Sequence, residues 1–356
     1  MKLLSGIRPR TLILSVTPVL IGGAAAISDI ESRFRESRAC PGPGCHVGHG
    51  FWLPYVPPAF LFVWLLCLLV ALFLQIAANL ANDYSDGVRG TDRARTDSSP
   101  APADAGSTTA SQADSPTASP VASPTASPVA SPADSPAAPA RLVSSGTDPS
   151  SVLVAAIVFA ALACEAGLVL TFATSHWWFL IVGILCLLAG WFYVGGKRPY
   201  GYRGLGDLAV FLFFGLVATL GTQYALTSRI TAMGVCGAIS AGLSACAVLG
   251  VNNLRDADTD RQAGKNTLVV LLGRQAGSTI VAAEALLAAV LLGVTTVLQS
   301  SATGICATLL ALSSAALLVS DTMLPHDERD YRLMFRHATF LSLVLAVGYF
   351  LCTLEF

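Results

Sequence analysis

The sequence predicts an all-α membrane protein, a polytopic bundle of about nine transmembrane helices. Three observations predict it. The 356-residue chain is 54% hydrophobic and only 12% charged, where a soluble domain is about a quarter charged. Its mean hydropathy is +0.65. Its apolar residues also gather into runs of the length, roughly 20 residues, that crosses the hydrocarbon core of a bilayer.

Nine such runs follow one another near residues 11–28, 58–82, 151–172, 177–195, 207–226, 231–252, 277–299, 302–320 and 336–353. The first comes after a basic start, "MKLLSGIRPR", and closes on small residues. That is also the layout of a signal peptide, but the apolar stretch exceeds the ~7–15 residues usual there. On either reading the N-terminus begins in the cytoplasm. The second span ends in "NLANDYSDGVRGTD", residues 79–92, and the sixth in "VNNLRDADTDRQAGKNT", residues 251–267. Four spans separate the two acidic stretches, so both emerge on one membrane face. The arrangement predicts two parallel four-helix halves with a ninth helix added.

Sidedness follows from Lys and Arg, which concentrate in cytoplasmic loops. With the N-terminus inside, only Arg33, Arg35, Arg38 and Arg229 fall outside, and the other 17 of the 21 basic residues face the cytoplasm. Both acidic stretches lie on that basic side, so the net charge of −1 conceals a strongly sided molecule. The lipid bilayer is the expected environment, and no nucleic-acid partner is expected.

Residues 97–140 differ from the rest. "TASPVASPTASPVASPADSPAAPA" is a Ser/Pro/Ala tract with too little apolar surface to offset the entropy of ordering. It reads as a disordered cytoplasmic insertion that divides one membrane domain into residues 1–96 and 141–356. Seven of the nine cysteines sit in spans, where Cys acts as a small apolar residue. Cys40 and Cys45 share an outer loop with His46 and His49. That loop is compatible with no metal, with one disulfide, or with zinc.

The chemistry lies in the acidic stretches. Gln75, Asn79, Asn82, Asp83 and Asp86 are spaced by threes and fours and share one helix face, as do Asn252, Asp256 and Asp260, with Asn253 beside them. Ionisable groups are costly inside a membrane and face a functional interior. Two such ladders together repel one another and demand cations. Oxygen ligands without His or Cys favour Mg²⁺ or Ca²⁺ over zinc, and Mg²⁺ is commonly shared between one or two carboxylates and a substrate phosphate. Arg93, Lys197, Arg198, Arg203, Arg255, Arg261 and Lys265 on the same side suit a phosphate or pyrophosphate substrate. The absence of a Walker-type loop argues against nucleotide hydrolysis. A cation transporter is the rival from another class, although transporters place such carboxylates near the bilayer midplane, on broken helices.

"NDYSDGVRGTD" and "NNLRDADTDRQAGKNTLVVLLGR" resemble the two aspartate-rich motifs of the UbiA superfamily of membrane prenyltransferases. The resemblance implies a bundle of about nine spans, an active site near the cytoplasmic face, and Mg²⁺ joining the aspartates to a polyprenyl pyrophosphate. "GIRPRTLILSVTPVLIGGAAA", "YVGGKRPYGYRGLGDLAVFLFFG" and "PARLVSSG" are similar to the branch whose acceptor is 1,4-dihydroxy-2-naphthoate. Related acceptors such as 4-hydroxybenzoate or homogentisate remain the near alternative. Many relatives carry a third aspartate where this chain has Gly90, and the branch pattern implies that Asp92 takes its place.

On this resemblance Asp83, Asp86, Asp92, Asp256 and Asp260 are the expected metal ligands. Asn79, Asn82, Asn252 and Asn253 are expected to orient the pyrophosphate. Lys197, Arg198, Arg203 and Lys265 neutralise the leaving group. Tyr200 and Tyr202 are candidates to stabilise an allylic cation, and Asp207 to contact or deprotonate the aromatic acceptor. Arg8, Arg10 and Thr11 match an amino-terminal branch pattern that implies contact with acceptor carboxylate or phosphate, and ordinary membrane anchoring is the safer reading. Glu165 and Glu284 are buried acids whose expected role is interhelical hydrogen bonding.

Overall fold

The computed structural model describes residues 6–38, 58–89, 142–143, 145–196 and 199–354. The outer loop with Cys40, Cys45, His46 and His49, the 97–140 segment, and the site candidates Asp92, Lys197 and Arg198 lie outside the described residues. Among those residues nine apolar helices occur: α1 (Pro9–Arg38), α2 (Pro58–Arg89), α3 (Pro149–Thr174), α4 (Phe179–Val194), α5 (Gly206–Thr227), α6 (Ala232–Gln262), α7 (Arg274–Leu298), α8 (Ala302–Met323) and α9 (Tyr331–Leu351). No strand is formed among them, and a single isolated bridge joins Arg203 to Asn266.

Eight of these helices are long and apolar enough to span a membrane, and α4, with 16 residues, is the exception. At 1.5 Å per residue it covers about 24 Å, short of the ~30 Å hydrocarbon core. The start expected near residue 177 is delayed because Ser175, at φ 57°, turns the chain and residues 176–178 serve as a connector.

Helix ends are set by local chemistry. The Asp148 side chain accepts from Ser151 N at 3.0 Å, with Pro149 opening α3, a donor-satisfying start that suits proline's missing N–H. Thr231 caps α6 through Gly234 N at 3.2 Å, and Ser301 caps α8 through Gly304 N at 3.1 Å. Pro18 lies inside α1, where a membrane helix tolerates the lost backbone bond.

Each half repeats one packing pattern. In the first, α1 lies on α2, α2 on α3 and α3 on α4; in the second, α5 lies on α6, α6 on α7 and α7 on α8. Helix α9 packs against α8, α1 and α6, and so ties the halves together. The core of α6 is made of small residues, including Ala238, Ala241, Ala245 and Ala247, because helices in lipid associate through close packing rather than a hydrophobic drive. Outward, Ile181, Ile184 and Leu185 of α4 and Leu309 of α8 are more than half exposed, as lipid-facing side chains should be. Helix α5 carries a π-helical stretch, Phe211–Val217, not foreseen from periodicity. Within it Gly215 approaches α6 so closely that a Cβ would lie 2.7 Å from both the Ala238 carbonyl oxygen and Gly242 Cα.

Both obstacles are backbone atoms and cannot rotate aside. Gly215→Ala should therefore destabilise the detergent-purified protein by about 1–3 kcal/mol, the usual cost of overpacking. Gly183→Ala on α4, where nothing lies within 4 Å, should leave the melting temperature unchanged. Equal melting temperatures for the two variants would refute the close-packing account.

Candidate active site

The last turns of α2 carry the first acidic ladder into the protein. Asp83 and Asp86 are 1% and 5% exposed, a burial that requires compensating partners. The Arg8 guanidinium pairs with Asp83. Arg8 adopts φ 51°, a left-handed backbone that costs energy in a non-glycine residue and is held by its surroundings. Asn79 extends this junction: its amide donates to the Ile7 carbonyl and to Thr11 Oγ1, at 3.1 Å each, and accepts from Gln75 at 3.1 Å. Asn79 thus joins α2 to the amino-terminal segment. Asn82 is half-buried nearby in the chain.

Asp86 connects the first ladder to the second. The Tyr202 hydroxyl donates to Asp86 Oδ1. Lys265 Nζ lies 5.5 Å from the centre of the Tyr202 ring and 3.8 Å from Asp260 Oδ1. The Tyr202 backbone carbonyl accepts from Asn266 N at 3.1 Å. A single tyrosine therefore bridges the carboxylate ending α2 and the Lys265–Asp260 pair ending α6. Arg89 reinforces the connection, 5.8 Å from the same ring and donating to the Gly196 carbonyl at 2.7 Å.

The rest of the second motif surrounds this bridge. Asp256 is chelated by its neighbour Arg255 through two bonds of 2.7 and 3.0 Å. Asp258 pairs with Arg274 at 2.8 Å, and Arg274 also donates to the Leu254 carbonyl at 2.6 Å. Asn253 is buried and Asn252 half-buried. Asn253, Asp207, Lys265 and Tyr193 line a small cleft of about 30 Å³. Asp207 thus faces the same space as the second motif.

Tyr200 points elsewhere. Its hydroxyl donates to the Ala189 carbonyl of α4 at 2.9 Å, and its ring meets Tyr193 edge-on at 5.4 Å. Burial pushes this hydroxyl's pKa up, so it stays a protonated donor. Arg203 is exposed. Arg89 and Arg274 enter the site although the sequence assigned them no role, and Arg8, Thr11 and Arg255 enter it with protein partners that the sequence did not indicate. The "RPRT" pattern was the available signal for Arg8 and Thr11. Glu165, expected to be a buried acid, is exposed on α3, while Glu284 in α7 has a buried Oε2 with no hydrogen-bond partner among the described residues.

The donors are carboxylate and amide oxygens with Lys and Arg among them. Among the described residues no three His, Cys, Asp or Glu side chains form a group that would hold a metal. A cation shared between one or two carboxylates and a substrate phosphate fits this set, which is the usual habit of Mg²⁺.

A helical bundle that buries paired acidic helix ends beside cationic groups defines a class that the relatives specify. Residues 134–344 match the UbiA prenyltransferase family, and the chain belongs to it. Its relatives include the 1,4-dihydroxy-2-naphthoate octaprenyltransferase of Mycobacterium leprae, 36% identical over 330 residues, covering 90% of this chain and 87% of that one. The protein of the same name from Mycobacterium tuberculosis is 38% identical, over 76% of this chain and 69% of that one. The Escherichia coli one is 31% identical, over 76% and 68%. Two solved structures share the fold. A UbiA homolog from Aeropyrum pernix aligns at TM-score 0.57 and 15% identity, covering 95% of this chain and 96% of that one. One from Archaeoglobus fulgidus, bound to DMAPP and Mg²⁺, aligns at 0.56 and 13%, covering 99% of each.

Arg8→Ala leaves Asp83 buried without its cation, which should cost about 3–5 kcal/mol of stability. The double variant Arg8→Ala/Asp83→Asn should recover part of that loss, because no charge then remains unpaired. Thermal unfolding in detergent checks both, and a double variant no more stable than Arg8→Ala would contradict the pairing.

Proposed function

We propose that this protein transfers a polyprenyl group from polyprenyl pyrophosphate to 1,4-dihydroxy-2-naphthoate, with loss of the acceptor's carboxylate, in menaquinone biosynthesis. The observation that carries the reading is the Asp86–Tyr202–Lys265–Asp260 connection, which joins the two acidic motifs at one place. The curated relatives named for this acceptor support it. The site is assigned to the cytoplasmic face of a bacterial plasma membrane, in keeping with the basic residues around it.

Asp83, Asp86, Asp256 and Asp260, with Asp92, are assigned to hold Mg²⁺. When bound, the metal supplies positive charge to the pyrophosphate oxygens. Lys265, beside Asp260, adds a charge where the leaving group accumulates negative charge, the largest electrostatic demand of the step. Lys197, Arg198 and Arg203 are assigned the same task. Asn82, Asn252 and Asn253 orient the pyrophosphate, while Asn79 holds the end of α2 to α1. The bond from the allylic carbon to pyrophosphate oxygen breaks, and the electron pair leaves with pyrophosphate. Tyr202 offers the developing allylic cation an aromatic face. The acceptor ring carbon bearing the carboxylate then bonds to the allylic carbon. Carbon dioxide departs, and the electron pair of its bond restores the aromatic ring. The product is the hydroquinone form of demethylmenaquinone. Asp207, which lines the cleft with Asn253 and Lys265, is assigned to contact or deprotonate an acceptor hydroxyl.

Purified protein supplied with 1,4-dihydroxy-2-naphthoate, a polyprenyl pyrophosphate and Mg²⁺ should yield an adduct lacking the carboxylate by mass spectrometry, and none with chelator. Prenylation of 4-hydroxybenzoate in its place would overturn the acceptor assignment. Asp86→Asn and Asp260→Asn should each lower pyrophosphate release by about 10²–10³-fold, on the scale of losing one transition-state charge contact. Tyr202→Phe, which keeps the ring but removes the bond to Asp86, should lose less than Tyr202→Leu. Equal rates for these two would argue against a role for the ring.

A further inference from the structure

Glu284 is an acidic side chain inside the bundle to which the mechanism above gives no task. It follows Arg274, the first residue of α7, by ten positions, about 15 Å along the helix. An ionisable group that far into an apolar span is costly and marks a functional interior. Its Oε2 is enclosed by protein and accepts no hydrogen bond among the described residues. The interhelical hydrogen bond expected from the sequence is therefore not made at this atom.

The carboxyl is turned toward α6. A Cβ built at Gly250 would stand 4.0 Å from Glu284 Oε2 and 2.4 Å from Val281 Cγ2. The bare backbone at Gly250 thus lets α7 bring its carboxyl close to α6. One turn earlier, the Cys246 thiol donates to the Asp207 carbonyl at 3.2 Å. Positions 246 and 250 share one face of α6. Asp207 of α5 and Glu284 of α7 therefore reach the same turn of α6 from two different helices, within electrostatic reach of each other. Leu249 of that turn lines the cleft together with Asp207 and Asn253.

Two carboxyls at one helical turn match an aromatic ring with hydroxyls on opposite edges. We propose that Glu284 is a specificity-determining residue for the acceptor, accepting a hydrogen bond from the 4-hydroxyl of 1,4-dihydroxy-2-naphthoate while Asp207 meets the 1-hydroxyl. The inference rests on the function proposed above. Position allocates the two hydroxyls. Asp207 shares its cleft with Lys265, toward the pyrophosphate, and the 1-hydroxyl adjoins the carbon that is prenylated. Glu284 lies outside that cleft and takes the remote hydroxyl. An acceptor without this hydroxyl leaves Oε2 enclosed and unpaired, which is how polar sites reject close analogues.

The test compares 1,4-dihydroxy-2-naphthoate with 1-hydroxy-2-naphthoate, which keeps the hydroxyl beside the carboxylate and lacks only the remote one. Rates of prenyl transfer by the detergent-purified full chain give kcat/KM for each. Competition against 1,4-dihydroxy-2-naphthoate gives an inhibition constant where turnover of the analogue is too slow. The wild-type protein should prefer the dihydroxy acceptor by at least about tenfold, the scale of one hydrogen bond to a buried group. Glu284→Leu should lower kcat/KM for the dihydroxy acceptor by about the same factor, chiefly through KM, and leave the analogue unchanged. Glu284→Gln, which retains an acceptor oxygen, should keep part of the preference. Since Glu284→Leu removes an unpaired oxygen, its melting temperature should not fall below that of the wild type. An undiminished preference in Glu284→Leu, or an equal loss with both acceptors, would overturn the inference. So would equal use of the two acceptors by the wild-type protein, a result that needs no variant to fold. Wild-type protein that prenylates neither acceptor would overturn the proposed function itself, whereas normal turnover of 1,4-dihydroxy-2-naphthoate without discrimination overturns only the role of Glu284.

Discussion

The burial of ionised carboxylates at the ends of α2 and α6 is the constraint on which the rest of this structure depends. An isolated carboxylate taken out of water is strongly disfavoured, and a membrane protein has little water to offer at such positions. The chain answers by bringing a cation or a strong donor to each. Arg8 reaches Asp83, Tyr202 reaches Asp86, Arg255 clasps Asp256 and Lys265 approaches Asp260. These demands shape the backbone locally. They hold the amino-terminal segment against α2, draw the turn after α4 beneath the bundle, and fold the segment after α6 back onto that turn.

Packing makes those reaches possible. Small residues along α6 let α5 and α9 approach closely, and Gly215 brings α5 almost into backbone contact with it. A bundle held by close contact is stiff, so the ends of its helices are defined positions for polar groups. The site is accordingly built from the ends of two long helices and the short connectors beside them. The π-helical stretch of α5 falls just beyond Asp207.

The two ends of the molecule use the same physics for different ends. On one face, carboxylates outnumber what neutral hydrogen bonds can satisfy and are matched by side-chain cations, the environment that a metal-bound pyrophosphate requires. On the other, Asp29 is matched by Arg33 one turn along the same helix. On the first face the burial of charge, more than its mere presence, distinguishes the candidate site from a solvated helix end.

Much of this was legible in the sequence. Nine apolar runs marked the helices, and steps of three and four placed Asp83, Asp86, Asp256 and Asp260 on inward faces, because both patterns are local and follow from helical pitch alone. The pairing of Arg8 with Asp83 spans 75 positions, and nothing in either neighbourhood announces it. Tyr200 and Tyr202 look equivalent in the sequence, two residues apart, yet one anchors α4 and the other bridges the acidic motifs. The short α4 and the π-helical turn of α5 were likewise invisible, since hydropathy measures apolar length but not where tertiary contacts end or distort a helix. The sequence by itself determined the class of the bundle and predicted its sidedness and ligand chemistry. Only the tertiary structure decided which cation meets which carboxylate, because that choice depends on distances between segments far apart in the chain.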